Sequence, residues 1–269
     1  MVVEKEASLH FVGKGISERY AKCRTKLPVP LIENLLSQHV GPQPGLWLDV
    51  GCGPGTSTQE LIGRSEKIIG VDISETQLEE ARKAVVHPSV TFLQGGGEAL
   101  PVESASADII TVVQAVHWFD LPAFFKEAER VLKPGGVLGL VCYPHYEVPS
   151  SPTMNVAMKH VFFEFLGPYF FRPTMKHLEE RYANIIIPFG ANTRTSLQLS
   201  CKQTYDELVY SVSAWSGFQN YCEKHELTDE EGIQMVENAM GKFIEDTDRE
   251  EEHVISETAI MVSAVKNYT

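Results

Sequence analysis

The stretch from Leu46 to Ser57 constrains this chain more than any other, because it combines a buried strand, a glycine turn and a helix start. Its first residues are apolar, as a strand inside a parallel sheet requires. Gly51, Gly53 and Gly55 follow at alternate positions, where a missing Cβ lets the backbone turn and lets a ligand lie against it. Hydroxyl side chains from Thr56 onward offer a helix cap. The pattern predicts a nucleotide-type site at the carboxyl end of the strand, and an ordinary tight turn is the alternative.

The glycine spacing separates this turn from two common phosphate-binding motifs. A dinucleotide turn carries G-x-G-x-x-G, and its third glycine would fall on Thr56 when the count starts at Gly51. A P-loop needs a lysine, which this stretch lacks. Asp49, beside the turn, would repel a pyrophosphate but suits a cationic ligand. We therefore expect a ligand that carries positive charge.

Strand and helix patterns alternate from residue 46 to residue 142, which predicts βαβ units and a mainly parallel sheet. After the first strand, further strands are predicted at 67–72, 90–93, 108–113 and 137–142. Asp72 ends the second strand, where its carboxylate can accept both hydroxyls of a ribose. The alternation predicts that the ligand site lies on the carboxyl ends of these strands.

The alternation stops near residue 143, and prolines and aromatic residues dominate up to about 195. Because so many of these groups need burial, we expect a folded insertion and not a linker. Late strands are predicted at 195–201 and 256–265, and helices at 17–24, 31–40, 156–166, 205–216 and 229–243. We expect one domain over 1–269, with a core at about 41–142 and 195–269 and a lid at about 1–40 and 143–194.

Composition narrows the class of protein further. The formal net charge is −13 and no cluster of Lys and Arg stands out, which disfavours a nucleic-acid partner. The five cysteines form no C-x-x-C pair, so we expect no metal site and no disulfide framework. The first residues lack an apolar signal core, and no apolar run is long enough to span a bilayer. We expect a cytoplasmic protein without a membrane partner, as a monomer or a weak homodimer.

Four features, taken in order, resemble the class I S-adenosylmethionine-dependent methyltransferases: the glycine turn, Asp72, the loop 95–101 and the segment 130–136. The resemblance implies an α/β, Rossmann-like, doubly wound sheet of seven strands, mainly parallel with one antiparallel strand. It also implies S-adenosyl-L-methionine as the cofactor and S-adenosyl-L-homocysteine as its product. The segment 114–120 and the pair Tyr20 and Arg24 resemble, more narrowly, small-molecule enzymes related to trans-aconitate and cantharidin methyltransferases.

The resemblance assigns roles to individual residues. The expected cofactor contacts are Asp49, Gly51, Cys52, Gly53, Gly55, Asp72, Ile73, Gly97, Glu98 and Gln114. The expected substrate contacts are Tyr20, Arg24, Trp118 and Arg172. His117 and Gln114 are the candidate catalytic residues, with His117 acting as a general base or orienting a substrate oxygen. A buried structural histidine and a packing tryptophan are the alternatives for His117 and Trp118.

One position departs from the family pattern. Many relatives carry Asp or Ser where Gly96 stands, as a partner for the adenine region. Glu98 is a candidate replacement, and a solvated loop acid is the alternative.

Methyl transfer from a sulfonium is an in-line displacement, for which the protein supplies alignment and desolvation. A carboxylate acceptor needs no base, whereas a hydroxyl usually does. Aromatic and cationic residues of the lid favour a small, largely apolar acid, so O-methylation of a carboxylate is the first expectation. Two alternatives stay open: O-methylation of a hydroxyl-bearing metabolite, and a cofactor-binding regulatory protein with weak turnover.

Overall fold

A central β-sheet organises the computed structural model, which describes residues 26–244 and 249–268. Five parallel strands form its first part, in the spatial order β3-β2-β1-β4-β5. They are β1 Leu46–Val50, β2 Lys67–Asp72, β3 Val90–Gln94, β4 Ala107–Val113 and β5 Leu132–Cys142. The chain reverses its strand order beside β1, so the carboxyl ends of β1 and β4 flank the crevice where such sheets bind ligands.

Three strands complete the sheet beyond β5: β6 Tyr146–Glu147, β7 Asn192–Gln203 and β8 His253–Val265. β8 runs antiparallel to β5, β6 and β7. In the described part of the chain, β8 is therefore the one strand that runs antiparallel to the others, as predicted. The sheet has eight strands and not seven, because the two-residue β6 also pairs with β8.

Helices pack on both faces of the sheet and beyond its edge. They are α1 Val29–Gln38, α2 Thr56–Glu60, α3 Glu75–Ala84, α4 Leu121–Val131, α5 Pro152–His160, α6 Arg172–Glu179, α7 Tyr205–Val212, α8 Ser216–His225 and α9 Asp229–Met240. Side chains of Ser74, Asp120 and Thr228 cap α3, α4 and α9 by accepting backbone N–H bonds, as their positions in the sequence predict.

Several boundaries differ from the sequence prediction. The segment 133–136 was expected to form a turn before the fifth strand, but it lies within β5. The pairing of the two strands explains this. Ala107 of β4 pairs with Leu132 of β5, and Ile109 pairs with Val137, so β5 has more residues than β4 between these two pairs. The extra residues of β5 form a bulge. The helix expected over 205–216 ends at Val212, and α8 follows it as a separate helix.

Alternate strand residues pack on opposite faces of the sheet. On one face Leu48 and Ile110 pack in a cluster with Phe124 of α4. On the other face Trp47 and Ile109 pack with α1 through Leu31, Ile32 and Leu35. The sequence groups α1 with the lid, whereas the structure buries it against the sheet.

The helices α5 to α9 form a second unit, which we call the helical layer. Its own buried cluster is rich in Met, Phe and Val, and includes Met158, Met175, Val212, Phe218, Val236 and Met240. The helices α7 to α9 belong to this cluster, although the sequence places them in the core segment. A π-helical turn, Val161–Phe165, continues α5 within the layer.

Candidate functional site

A cavity opens where β1, β2 and β4 end, and we call it the strand-end cavity. The backbone of Gly51 and Gly53 forms one wall, and Asp72 with Ile73 forms another. The loop 95–98 and the residues after β4 close the remaining sides. The cavity thus lies at the site that the alternation of strands and helices predicts.

Gly51 shows why the turn needs glycine. Its φ is +70°, in the left-handed region that side chains disfavour. A Cβ at this position would also come within 2.5 Å of the Ala115 Cβ. The turn and the segment after β4 can therefore approach each other only when residue 51 has no side chain.

Backbone N–H groups donate hydrogen bonds to both carboxylate oxygens of Asp72. Its Oδ2 accepts a hydrogen bond from the Gly53 N–H at 2.8 Å, and its Oδ1 accepts one from the Ser74 N–H at 2.9 Å. Burial raises the pKa of Asp72, and these two hydrogen bonds act in the opposite direction. Each carboxylate oxygen keeps lone-pair capacity for a further donor from a ligand.

Three of the expected cofactor contacts do not line the strand-end cavity. Asp49 is buried beneath the turn, where it accepts hydrogen bonds from Thr58 at 2.6 Å and Thr111 at 3.3 Å. Burial raises its pKa to about 6. Its carboxylate supports the turn from below, and the cofactor contact expected for Asp49 stays a prediction.

Cys52 and Gly55 also face away from the strand-end cavity. The Cys52 side chain belongs to a small apolar cluster with Leu78, Ala81 and Phe92. Gly55 has a φ of +82° and precedes α2 as its N-cap. Both residues shape the turn and do not line the cavity, and the cofactor contacts expected for them stay predictions.

Six residues that line the strand-end cavity were not among the expected ligand contacts: Pro54, Ser74, Gln77, Gly95, Ala115 and Phe119. Gly96 and Trp118, which the sequence singles out, also line it. Gln77 is 3% exposed, and its Oε1 is buried without a hydrogen-bond partner among the described residues. Helical spacing could have found it, because Gln77, Leu78 and Ala81 form the buried side of α3.

Glu98 joins the loop after β3 to the start of α4. It lines the strand-end cavity, and its Oε1 accepts a hydrogen bond from the Asp120 N–H at 2.7 Å. Gly97 lies beside it, where a Cβ would come within 2.8 Å of the Phe119 ring. The loop is therefore packed closely against the segment that precedes α4.

A second cavity lies between the sheet and the helical layer, and we call it the interlayer cavity. Its apolar wall is aromatic, with Phe162 packed against Trp215 at 5.2 Å and against Phe170 at 5.0 Å between ring centroids. Its polar lining residues come from distant parts of the chain, and include Gln114, His117, Thr174, Ser211 and Glu257. This combination of an apolar wall and a few polar groups is typical of small-molecule sites.

Gln114 and Trp118 line both cavities. The Gln114 backbone has a φ of +54°, and its Nε2 donates a hydrogen bond to the Tyr143 carbonyl at 2.8 Å. Its Oε1 is buried without a hydrogen-bond partner in the described part of the chain. A strained backbone that presents an unsatisfied amide oxygen at the border of two cavities is a feature of binding sites.

His117 lies at the base of the interlayer cavity and is 8% exposed. Its Nδ1 pairs with the Tyr182 hydroxyl at 2.9 Å, which fixes the orientation of the ring. The neighbouring Trp118 stacks on Phe171, with 6.2 Å between the ring centroids. His117 is therefore both a buried, partnered histidine and a cavity residue.

Glu257 is the one carboxylate among the described residues that line the interlayer cavity, and no described Lys or Arg lines it. Burial, with a smaller contribution from Arg181, lowers the pKa of His145 in the same wall. Tyr20 and Arg24 lie outside the described residues, as does the Arg172 side chain at the start of α6. Of the four expected substrate contacts, Trp118 is therefore the one whose side chain the structure describes, and it lines the interlayer cavity.

The described residues contain no group of three or more His, Cys, Asp or Glu side chains that could hold a metal ion. No helix among them is both long and apolar enough to cross a membrane.

Comparison with known proteins gives a consistent result. Residues 48–140 match the methyltransferase domain family. A Dictyostelium discoideum protein named as a methyltransferase is 29% identical over 185 residues, which cover 69% of each chain. A Saccharomyces cerevisiae protein named as an S-adenosylmethionine-dependent methyltransferase is 24% identical over 204 residues, which cover 73% of this chain and 67% of that protein.

A solved structure shares the fold. It is described as a type II methyltransferase from Anaeromyxobacter dehalogenans, and it is 24% identical to this chain. The TM-score is 0.73, with 90% of this chain and 97% of the other covered.

Proposed function

We propose that this chain is a class I S-adenosylmethionine-dependent methyltransferase, and that it methylates an oxygen atom of a small molecule in the interlayer cavity. One observation carries the proposal: Gln114 and Trp118 line both cavities. A cofactor in the strand-end cavity and an acceptor in the interlayer cavity would therefore meet at these two side chains.

The strand-end cavity fits S-adenosyl-L-methionine in three respects. The glycine turn leaves room for a ligand against the backbone, and Asp72 offers hydroxyl-accepting oxygens. The carboxylates of the buried Asp49 and the half-buried Asp72 favour the cationic part of the cofactor. When bound, the cofactor supplies an electrophilic methyl group. The proposed cofactor contacts are Gly51, Gly53, Asp72, Ile73, Gly97, Glu98 and Gln114.

The chain itself supplies alignment and exclusion of water. Gln114 is held by the Tyr143 carbonyl, so its free amide oxygen can orient the amino-acid end of the cofactor or the accepting group. Trp118 and the aromatic wall keep water away from the reacting atoms. His117 orients a substrate oxygen or accepts its proton.

A carboxylate is the accepting group that the sequence predicts, and the narrower family resemblance supports it. The Tyr143 hydroxyl donates to the Lys26 carbonyl at 3.3 Å, and Tyr143 lines the interlayer cavity. Arg24, which lies outside the described residues, stays the partner that the sequence predicts for an anionic acceptor.

A hydroxyl is the second candidate, and Glu257 favours it. A carboxylate in the wall of the interlayer cavity repels an anion but accepts a hydrogen bond from a hydroxyl group. His117 would then act as the base, with Tyr182 fixing its ring.

The test is a comparison of pH–rate profiles for the parent and His117→Ala, after a metabolite library has been screened with labelled cofactor. For a carboxylate acceptor we expect a flat profile above neutrality and a moderate loss in the variant. For a hydroxyl we expect a rate that rises through about pH 6–7 and a loss of roughly 10²–10⁴-fold in the variant. His87→Ala, on an exposed loop, is the matched control. Binding of the cofactor without methylation of any acceptor would support a regulatory protein instead.

We also propose that residues 143–194 form a lid; the segment before Pro28, which the sequence assigns to the same lid, lies outside the described residues except for Lys26 and Leu27. The helical layer supports it, because this layer has its own buried cluster and forms one wall of the interlayer cavity. Hydrogen exchange should show greater protection of both segments when S-adenosyl-L-homocysteine is added. Equal protection in the two states would argue against closure. The cytoplasmic location and the monomeric or weakly dimeric state stay predictions.

A further inference from the structure

We propose that the side-chain amide of Gln77 binds a ribose hydroxyl of the cofactor, beside Asp72. Nothing in the glycine-turn pattern points to this residue, since it lies within α3. The inference rests on the proposed cofactor site, so its experiment includes a separate test of that site.

The position of Gln77 is fixed by the start of α3. Its backbone N–H donates to the Ser74 Oγ at 3.4 Å, within the cap of that helix. Its side chain lines the strand-end cavity, and its Oε1 lies 3.8 Å from the point that a Cβ on Gly53 would occupy. The Gly53 N–H in turn donates to Asp72. The amide therefore lies next to the wall that presents the Asp72 carboxylate.

The side-chain oxygen of Gln77 is buried and has no hydrogen-bond partner among the described residues. Leaving a buried polar atom unsatisfied is unfavourable, so such an atom at the edge of a cavity indicates a partner that a ligand provides. Because an amide has an acceptor end and a donor end, a hydroxyl can pair with either.

The ribose is the part of the cofactor that matches this position. It offers two hydroxyl groups, and each Asp72 oxygen already accepts one backbone N–H. A second, uncharged partner beside Asp72 adds hydrogen-bonding capacity without adding a third negative charge near Asp49 and Asp72. Gln77 thus adds a second hydrogen-bonding group to the ribose site beside Asp72.

The experiment measures affinities of Gln77→Met by calorimetry, since methionine keeps the length of the side chain but removes the amide. The probes are S-adenosyl-L-homocysteine and its 2′-deoxy and 3′-deoxy analogues. We expect the variant to bind S-adenosyl-L-homocysteine about 2- to 12-fold more weakly than the parent. We also expect the parent and the variant to bind one of the two deoxy analogues equally. Gln59→Met, which makes the same change at an exposed position of α2, should not alter any of the three affinities.

Thermal unfolding provides a second readout. Without ligand, Gln77→Met should be at least as stable as the parent, because an unsatisfied buried oxygen has been removed. With S-adenosyl-L-homocysteine, its increase in melting temperature should be smaller than that of the parent. An unchanged affinity, or equal losses for all three probes, would overturn the assignment. If Asp72→Ala leaves the affinity unchanged, the cofactor site itself is misplaced, and this result does not depend on Gln77.

Discussion

The two cavities are built in different ways. The strand-end cavity is formed mainly by backbone and short side chains from the turn, the end of β2 and the loop after β3. The interlayer cavity is formed by large side chains from positions as far apart as Gln114 and Glu257. A cavity made of backbone tolerates little change at its glycines, whereas a cavity made of side chains can be reshaped residue by residue. The proposed cofactor site in the strand-end cavity is therefore fixed by local sequence, whereas the proposed acceptor site in the interlayer cavity is open to variation.

The largest effect is expected for Gly51→Ala. The new Cβ would meet Ala115 at 2.5 Å in a backbone conformation that costs about 1–2 kcal/mol for an alanine. We expect calorimetry to show at least a 100-fold loss of affinity for S-adenosyl-L-homocysteine. Gly63→Ala is the matched control, since Gly63 has a φ of +80° but open space around it. Equal losses in the two variants would contradict the role of the close approach to Ala115.

The second effect concerns Asp72→Ala. Loss of charge-assisted hydrogen bonds to the ribose should lower the affinity for S-adenosyl-L-homocysteine by about 1.5–3 kcal/mol, or roughly 10- to 150-fold. Glu257→Gln changes a carboxylate of the interlayer cavity, so it should leave this affinity unchanged. Similar losses in both variants would show that the cofactor does not bind in the strand-end cavity alone. Circular dichroism checks that Asp72→Ala still folds, because Asp72 also holds Gly53 and Ser74.

The third effect is one of stability and comes from Asp49→Asn. The folded-state pKa of Asp49 is raised from 3.8 to about 6, so its ionisation lowers stability as the pH rises from about 4 to 6. Asparagine does not ionise, and the variant should therefore gain on the order of 1–3 kcal/mol over the parent at pH 7. The gain should shrink as the pH falls towards 4. Urea unfolding at several pH values measures it, and a pH-independent difference would contradict the burial of an ionisable Asp49.

The smallest effect is expected for Tyr182→Phe, because Tyr182 acts on the interlayer cavity indirectly, through His117. Removing the hydroxyl that pairs with His117 should lower turnover of the acceptor about 2- to 12-fold, because the imidazole loses an orienting hydrogen bond. The affinity for S-adenosyl-L-homocysteine should stay at the parent value. Tyr210→Phe, at an exposed position of α7, serves as the control for both measurements. A loss of cofactor affinity in Tyr182→Phe would show that the two cavities are not independent.

The parts of the site that were predicted best are those formed by neighbouring strand ends and turns. Gly51 and Asp72 lie on consecutive strand ends, and their spacing along the chain is enough to bring them together. Asp49 and Cys52 lie in the same motif but face the interior. A motif shows which residues cluster, but it does not show on which side of the backbone each side chain lies.

The same reasoning could not predict the lining of the interlayer cavity. Ser211 of α7, Trp215 just before α8 and Glu257 of β8 enter the interlayer cavity from segments that approach each other only in the folded chain. The break between α7 and α8 was also missed, because the apolar pattern of 205–216 continues across it. These contacts depend on how the helical layer packs, and no short spacing in the sequence records that packing.

Gln114 has a further consequence, because one amide belongs to both cavities. A ligand that reorients this amide from one side changes the free energy of binding on the other side. By thermodynamic reciprocity, the factor by which the cofactor alters the affinity for the acceptor equals the factor by which the acceptor alters the affinity for the cofactor. The order in which the two ligands are added can therefore change the rate of assembly of the ternary complex, but it cannot change the total binding free energy of that complex.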